Sequence, residues 1–264
     1  MADQIDKSDA YALMTSALKS MHQNSKYSDL TVKCGGQEWA VHKAIVCLQS
    51  PFFEKHCDEG WMQGEEDVTP LPDDDPHVVD AMIRYFYTFD YSDEDHVKPE
   101  DLEGIPSIVL DVLVHMIADK NAIPSLEKLA ASKFEQRAKA EWETKAFADA
   151  ATLIYTQAAH RGDQLKETVM SVATEHADTL SDPASPSGAH FRSAVEAVPA
   201  LGVAVWRRYV EHVEAEKSKP KYYRCPNCAI SVAEDKIITG TGGTTICTGC
   251  NTNYYVKDWL ARPV

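Results

Sequence analysis

The alternation of hydrophobic and polar positions predicts a mixed helix and strand structure in the first part of the chain. Apolar residues recur at helical spacing between Asp9 and Met21, which predicts an amphipathic first helix. Residues 30–34 and 37–41 then alternate between apolar and polar side chains on either side of Gly35-Gly36. Two alternating runs joined by a two-residue glycine turn predict a β-hairpin.

The pattern after the hairpin predicts two helical stretches and one more strand. Residues 43–53 are apolar at helical spacing, with an expected interruption at Ser50-Pro51, and residues 65–71 are expected to hold one short strand. Asp75 followed by Pro76 is a helix start signal, because the carboxylate can cap the first turn and proline fits its first position. The core face of this helix is expected to comprise Val79, Met82, Ile83 and Phe86.

Helical periodicity dominates the second half of the chain. Three successive amphipathic helices are predicted between residues 124 and 180, followed by a break at 181–188 that is rich in serine and proline. A last helix is predicted over 191–216, and Pro199 is expected to kink or divide it. Its apolar positions are Val195, Val198, Leu201, Val205, Trp206 and Tyr209.

Near the C-terminus, four cysteines form two Cys-x-x-Cys pairs separated by 18 residues: Cys225, Cys228, Cys247 and Cys250. This spacing is typical of a tetrahedral zinc site. A site of four thiolates leaves no position open for water, so one structural Zn²⁺ is predicted rather than a catalytic one. Residues 221–264 are therefore predicted to form a small β zinc ribbon, in which the metal replaces a core that so short a segment cannot build.

Each cysteine pair has a residue with unusual backbone freedom just before its second cysteine. These residues are Asn227 and Gly249, and both tolerate the left-handed conformation that such a turn often needs. Tyr222-Tyr223 and residues 254–256 are expected to form strands of the ribbon.

The net charge is −15, and it is concentrated in one segment. Between Asp58 and Glu103 there are sixteen acidic and two basic residues. Such a surface repels nucleic acid and membrane headgroups and favours basic partners, although solvated loops that keep the protein soluble would give the same count. Residues 221–264 carry five basic and three acidic residues, and four thiolates with Zn²⁺ would cancel that excess, which argues against nucleic acid binding.

Cysteine use and hydropathy limit the compartment and the class of protein. An odd number of cysteines outside the zinc pairs and no apolar N-terminal signal predict reduced thiols in the cytoplasm or nucleus. The most apolar window, residues 105–118, is interrupted by Asp111 and His115 and is too short to span a bilayer. No sequence feature supplies an oriented base or an oxyanion site to a cysteine nucleophile, so an enzyme is not predicted.

Six sequence blocks together carry a resemblance to a known family. The blocks are Tyr27-Ser-Asp-Leu-Thr-Val32, Trp39-Ala-Val-His-Lys-Ala-Ile45, Ser50-Pro-Phe-Phe53, Asp73-Asp-Asp-Pro-His-Val-Val79, Arg84-Tyr-Phe-Tyr-Thr88 and residues 113–134. Together they resemble a BTB (POZ) domain, and most closely the BTB proteins common in filamentous fungi. The resemblance implies an α+β fold, a small sheet from the hairpin with helices packed on it. With the ribbon predicted over 221–264, it divides the chain into a BTB domain over 1–135 with an acidic insertion near 91–106 and a helical extension over 136–220 with a linker near 181–188.

Members of this family pair with themselves or bind other proteins. The resemblance implies that Asp29, His42 and Lys43 shape the core and the dimer pocket. The best-known family role is to bridge substrates to a cullin ubiquitin-ligase scaffold, often through a hydrophobic-x-Glu step after the Ser-Pro-Phe-Phe helix. Cys57 and Glu59 occupy that step here, with Trp61 beside it, but cysteine is a poor hydrophobic anchor. The expected interaction surface is therefore Asp29, His42, Lys43, Cys57, Glu59 and Trp61.

The sequence thus favours a non-enzymatic interaction protein that oligomerises or acts as an adaptor through its BTB region. A nucleic-acid-binding or transcription-related protein that uses the zinc ribbon is the alternative. Steep weakening of binding with salt would distinguish the alternative, since contacts to phosphates release counterions.

Overall fold

The computed structural model describes most of the chain, which divides into two compact units, Met1–Trp206 and Arg207–Val264. The domain boundaries expected at residues 135 and 220 stay predictions. Within the part of the chain that is described, no helix is both long enough and apolar enough to cross a membrane. The described residues are 7–63, 67–91, 104–158, 163–219, 221–233, 244–247, 249–255, 258, 261 and 263.

The first unit begins with helix α1 (Lys7–Gln23) and a three-stranded sheet of order β2-β1-β3. Strands β1 (Leu30–Cys34) and β2 (Gln37–Val41) form the antiparallel hairpin that the alternation predicts. Strand β3 (Val68–Pro70) lies parallel to β1 on its other side, within the range predicted for a strand. The inward-facing residues of β1 are all buried. The alternation of apolar and polar residues in the sequence therefore matches the alternation of buried and more exposed positions along the strand.

The hairpin turn depends on both of its glycines. Gly35 and Gly36 have φ angles of 53° and 83°, the left-handed conformations that a type I′ turn requires. Gly35 also lies against the N-terminus of a later helix, because a Cβ atom at this position would stand 2.6 Å from Cγ of Pro76. The turn therefore contacts that helix as well as joining two strands.

Three helices follow the hairpin, α2 (Lys43–Val46), α3 (Pro51–Gln63) and α4 (Pro76–Thr88). The expected interruption at Ser50-Pro51 is confirmed, since α3 begins at the proline. Helix α4 begins as predicted, with the Asp75 carboxylate accepting a hydrogen bond from the backbone N–H of His77 at 2.8 Å. Its expected core face is fully buried: Val79, Met82, Ile83 and Phe86.

Helices α5 (Ser107–Lys120) and α6 (Pro124–Glu141) contribute to two hydrophobic clusters at once. The first cluster contains the sheet, α4 and residues such as Val114 of α5. The second contains Ile108 of α5, Phe134 of α6 and the helices that follow. A helix that is apolar on opposite faces has to be covered on both, and here the two clusters cover them.

The second cluster is completed by five more helices in the described part of the chain. They are α7 (Lys145–Thr156), α8 (Asp163–Glu175), α9 (Ala177–Ser181), α10 (Ala189–Ala197) and α11 (Pro199–Ser218).

The helix predicted over 191–216 is divided at Pro199, as expected, because α10 ends at Ala197 and α11 begins at the proline. The apolar positions of α11 differ in burial. Leu201 is buried, whereas Trp206 is 67% exposed and Tyr209 is exposed as well. Val205, Val210 and Val213 are half-buried.

The second unit contains the ribbon. Strands β4 (Tyr222–Arg224) and β5 (Ser231–Ala233) form one antiparallel pair, and β6 (Thr244–Ile246) and β7 (Asn253–Tyr255) form another. Both tyrosine segments expected as strands thus lie in strands. Among the described residues of this unit, Tyr223, Cys225 and Cys247 are buried, with Val232 and Tyr254 partly buried against them.

We expect Gly35→Ala to destabilise the first unit more than Gly36→Ala does. Both changes place a Cβ at positive φ, which costs about 1–2 kcal/mol, but only the one at Gly35 also meets the Pro76 ring. A Cβ at Gly36 would meet no atom within 4 Å. Urea unfolding of the two variants measures the difference, and equal losses of unfolding free energy would contradict the close contact with Pro76.

Candidate metal centre and interaction surface

The four cysteines of the ribbon converge on one point. Their sulfur atoms all lie within 4.8 Å of one another. Cys225 and Cys250 are 3.7 Å apart at Sγ, and Cys228 and Cys247 are 3.5 Å apart. Four sulfurs bound at about 2.3 Å to a tetrahedral metal would lie roughly 3.8 Å apart. The group is therefore close enough, and of the right size, to hold a metal ion.

The backbone builds two matching turns around these sulfurs. Asn227 donates its N–H to Sγ of Cys225 at 3.4 Å, and Gly249 donates to Sγ of Cys247 at 3.3 Å. In each turn the first cysteine also donates its own N–H to a carbonyl five residues on, that of Ile230 or of Thr252. N–H groups directed at sulfur stabilise the thiolate form, which is the form that binds metals.

The free thiols of the cluster do not share one pKa direction. Hydrogen bonding, first that with the Thr252 side chain, lowers the pKa of Cys250. At Cys228 a hydrogen bond with the Ile230 backbone lowers the pKa, but desolvation and hydrogen bonds with the other thiols outweigh it and raise the pKa. A metal ion among the four sulfurs would favour the thiolate form of each of them.

The left-handed residues of the two turns are not the ones expected. Asn227 and Gly249 do not have positive φ, whereas Ala229 and Asn251 do, at 59° and 53°. The chain therefore turns one residue after each second cysteine rather than one residue before it. Gly249 is small for another reason, since a Cβ there would lie 2.2 Å from Cδ1 of Ile230 and 3.3 Å from Sγ of Cys228.

His42 lies in the first unit, where it is buried and fully hydrogen-bonded. Its Nε2 is 2.8 Å from the carbonyl of Lys26, and its Nδ1 is 2.8 Å from the hydroxyl of Tyr87. A carbonyl can only accept, so Nε2 carries the proton, and in the neutral ring Nδ1 accepts from the Tyr87 hydroxyl. The backbone N–H of His42 donates to the same hydroxyl at 2.9 Å. His42 thereby ties the segment before β1 to α4.

Burial keeps the Tyr87 hydroxyl in its donor form. Desolvation raises the pKa of Tyr87 to about 12, so the phenol is neutral at physiological pH. The hydroxyl is thus able to donate to His42 while it accepts from the backbone.

Asp29 and Lys43 also make structural contacts. The Asp29 carboxylate accepts from the backbone N–H of Lys43 at 2.7 Å, at the start of α2, and the Lys43 side chain pairs with Asp67. That hydrogen bond to Asp67 is the main cause that raises the pKa of Lys43. The role of Asp29, His42 and Lys43 in an interaction surface stays a prediction.

The rest of the expected surface lies along α3. Cys57 is half-buried, and its sulfur lies 3.3 Å from Sγ of Cys47 at the end of α2. Glu59 and Trp61 belong to the later turns of α3, but their side chains lie outside the described part of the structure.

Two arrangements were not identified from sequence. One is the Cys47–Cys57 pair, whose only sequence signal is the break at Ser50-Pro51 that allows two short helical segments to fold together. The other is a pair of exposed apolar side chains on one side of α1, Tyr11 and Met14, which are 72% and 66% exposed. Periodicity marked apolar positions on α1, but it could not show which of them would remain uncovered.

The structure has an α+β region at its N-terminal end and a four-cysteine ribbon near its C-terminal end, and the comparison with known proteins bears on the first of these. Residues 18–113 match the family model of the BTB/POZ domain. This match supports a BTB/POZ domain that contains the sheet and α2 to α4. The filamentous-fungal type stays a prediction.

Similar proteins include TD and POZ domain-containing protein 5 of Mus musculus. It is 25% identical over 170 residues, which are 64% of this chain and 45% of that protein. The chain thus spans less than half the length of this curated relative. Among solved structures, the BTB domain of zebrafish PATZ1 is 14% identical, covers 52% of this chain and 98% of its own, and has a TM-score of 0.39. The BTB domain of human Gigaxonin is 19% identical over 50% of this chain and 95% of its own, with a TM-score of 0.36.

We expect Tyr87→Phe to lower the free energy of unfolding by about 1–3 kcal/mol, because it leaves both the backbone N–H and Nδ1 of buried His42 without a partner. Tyr85→Phe is the matched control on the same helix, since none of the hydrogen bonds among the described residues involves its hydroxyl. Urea unfolding of both variants tests this, and equal stability of the two would show that the His42 contact is not structural.

Proposed function

We propose that this chain is a non-enzymatic protein–protein interaction protein whose BTB/POZ region mediates self-association or an adaptor contact. The observation that supports this most directly is the family match over residues 18–113. Exposed apolar residues of α1 are a second support, because Tyr11 and Met14 lie three residues apart on one side of the helix, just before the matched residues. Grouped apolar side chains on a surface commonly mark a protein interface.

Within this function, recruitment to a cullin ubiquitin ligase is the more specific role that the BTB match suggests. The contact would use α3, which contains Cys57, Glu59 and Trp61. Asp29, His42 and Lys43 would belong to the same interaction surface. Cys57 faces Cys47 and is half-buried, so the hydrophobic contribution at this step would be small.

We further propose that the ribbon binds one structural Zn²⁺ through Cys225, Cys228, Cys247 and Cys250. The sulfur separations fit a tetrahedral four-thiolate site, and the N–H groups of Asn227 and Gly249 support the thiolates. Four protein ligands saturate the ion, so it would hold the fold rather than activate water. In the described part of this unit, two of the three buried core residues are themselves cysteines of the cluster, so the metal would supply most of its stability.

Zinc-dependent binding to nucleic acid is the alternative that one observation favours. Tyr222 and Tyr255 are exposed on the ribbon, and aromatic side chains can stack on unpaired bases. Charge opposes this function, because zinc and four thiolates leave the ribbon without a net positive field. Retention on single-stranded DNA that weakens steeply with salt would support the alternative, and no retention at low salt would exclude it.

Cys228→Ser in the full chain should abolish zinc binding and unfold the ribbon while the first unit stays folded. The expected zinc content falls from one ion per chain to none, because three thiolates bind the ion far more weakly. Elemental analysis measures the metal, and far-ultraviolet circular dichroism reports on the first unit, which holds most of the helices. Cys57→Ser is the control that should keep its zinc.

A chelator should reproduce the effect of Cys228→Ser. Loss of the helical signal together with the metal would instead show that the first unit depends on the ribbon. A wild-type chain without zinc would contradict the metal site itself.

Self-association is tested by size-exclusion chromatography with light scattering on the zinc-loaded chain. We expect a species of about twice the 29.3 kDa chain mass, and a chain mass near 29.3 kDa for Tyr11→Ser combined with Met14→Ser. Leu48→Ser is the control, because Leu48 is 86% exposed but lies in the turn after α2, away from α1 in the sequence, and should leave the mass unchanged. A wild-type chain that is monomeric would contradict self-association.

Addition of a BTB-binding cullin fragment to the same measurement tests the adaptor role. A stable mixed peak that Glu59→Ala and Trp61→Ala weaken supports recruitment through α3. If no mixed peak forms, the chain is a scaffold rather than a ligase adaptor.

A further inference from the structure

Two cysteines outside the ribbon are positioned to react with each other. Cys47 directly follows α2, Cys57 lies in α3, and the Cys47 thiol donates to the Cys57 sulfur with 3.3 Å between the two Sγ atoms. We propose that Cys47 and Cys57 form a reversible disulfide, which makes the turn between α2 and α3 a thiol modification site.

The geometry places the two sulfurs close to bonding distance. A disulfide has an S–S length of about 2.05 Å, so the sulfurs would have to approach by about 1.3 Å. Cys47 is held by a short segment, since it directly follows α2, which has only four residues. Its backbone N–H bonds to the carbonyl of Lys43 at 2.9 Å. Both cysteines are half-buried, in contrast to Cys34, whose thiol is buried and donates to the Asp74 carbonyl at 3.0 Å.

The surroundings give the two thiols different parts in the reaction. Burial, followed by the hydrogen bond to Cys57, raises the pKa of Cys47 to about 12. Cys47 is therefore protonated while its partner is free, and Cys57 is the thiol that starts the exchange. Conversion of Cys57 to a mixed disulfide removes both its hydrogen bond with Cys47 and its charge, which are two of the causes that raise the pKa of Cys47. The neighbouring Lys43 still lowers that pKa and so favours ionisation of Cys47.

The oxidant is a small-molecule disulfide such as glutathione disulfide. The Cys57 thiolate attacks one sulfur of the oxidant, forms a mixed disulfide and expels the first glutathione thiolate. That thiolate accepts the proton of Cys47, whose sulfur then attacks Cys57 and expels the second glutathione, which takes a proton from solvent. In total, two protein thiols are oxidised to one disulfide, and one glutathione disulfide is reduced to two glutathione molecules.

The bond would have a defined mechanical effect. It would join two positions that are ten residues apart, across the break at Ser50-Pro51, and so fix the short α2 against α3. Thioredoxin or excess reduced glutathione would open it, because a half-buried disulfide remains accessible to exchange.

Peptide mapping of the full zinc-loaded chain tests the proposal. The chain is equilibrated in glutathione buffers of increasing oxidised fraction, the remaining thiols are blocked with N-ethylmaleimide, and the product is digested with trypsin. Cleavage after Lys43, Lys55 and Arg84 leaves Cys47 on peptide 44–55 and Cys57 on peptide 56–84. We expect these two peptides to be recovered as one linked species, lighter than their sum by about 2 Da, and to separate again on return to reduced glutathione.

Variants separate this bond from other oxidation. Cys47→Ser and Cys57→Ser should each abolish the linked species, whereas Leu48→Ser, which changes an exposed neighbour of Cys47, should leave it unchanged. Circular dichroism confirms that each variant is folded. Recovery of the two wild-type peptides unlinked, or of Cys57 linked to a ribbon cysteine instead, in a buffer as oxidising as the endoplasmic reticulum would overturn the proposal.

Discussion

The first unit depends on the fact that α5 has to be covered on two faces. Leu110, Val114 and Ile117 belong to the cluster formed with the sheet and α4, whereas Ile108 and Val112 belong to the cluster formed with the later helices. An isolated α5 packed on the sheet alone would leave the second set in water, at a cost of about 25 cal/mol for each Å² of apolar surface. The helices after α6 therefore complete the core of this unit.

Polar contacts hold helices α5 and α6 against Tyr91, which lies shortly after the end of α4. The carboxylate of Asp111, buried in α5, accepts from the Tyr91 hydroxyl at 2.8 Å and pairs with Nε of Arg137 in α6 at 3.3 Å. Lys133 of α6 donates to the carbonyl of Tyr91 at 2.6 Å and lies over its ring. A buried carboxylate is costly unless it is paired, so these partners make the arrangement specific to one register of α5 against α6.

Local patterns predicted the elements well, because their signals lie within a few residues of one another. The hairpin at Gly35-Gly36, the cap at Asp75 and the division at Pro199 each follow from short-range sterics or hydrogen bonding. The convergence of the four ribbon cysteines was also predictable, since Cys-x-x-Cys spacing has few other uses.

Features that depend on distant partners were not predictable in the same way. Helical periodicity in α11 cannot show where a neighbouring element ends, so it did not distinguish the buried Leu201 from the exposed Trp206. The link between His42 and Tyr87 joins residues 45 positions apart, and no local signal marks it. The left-handed residues of the cysteine turns were misplaced by two positions, because composition favours Asn and Gly whereas the path of the chain selects Ala229 and Asn251.

The ribbon has one property that sets it apart from an ordinary small domain. Among its described residues the buried ones are Tyr223, Cys225 and Cys247, so the atoms that form this core largely coincide with the atoms of the cysteine cluster. The side chains of Tyr222 and Ile246 are exposed, and replacing them removes no buried contact. Selection on these two positions would therefore act through what the surface touches rather than through stability.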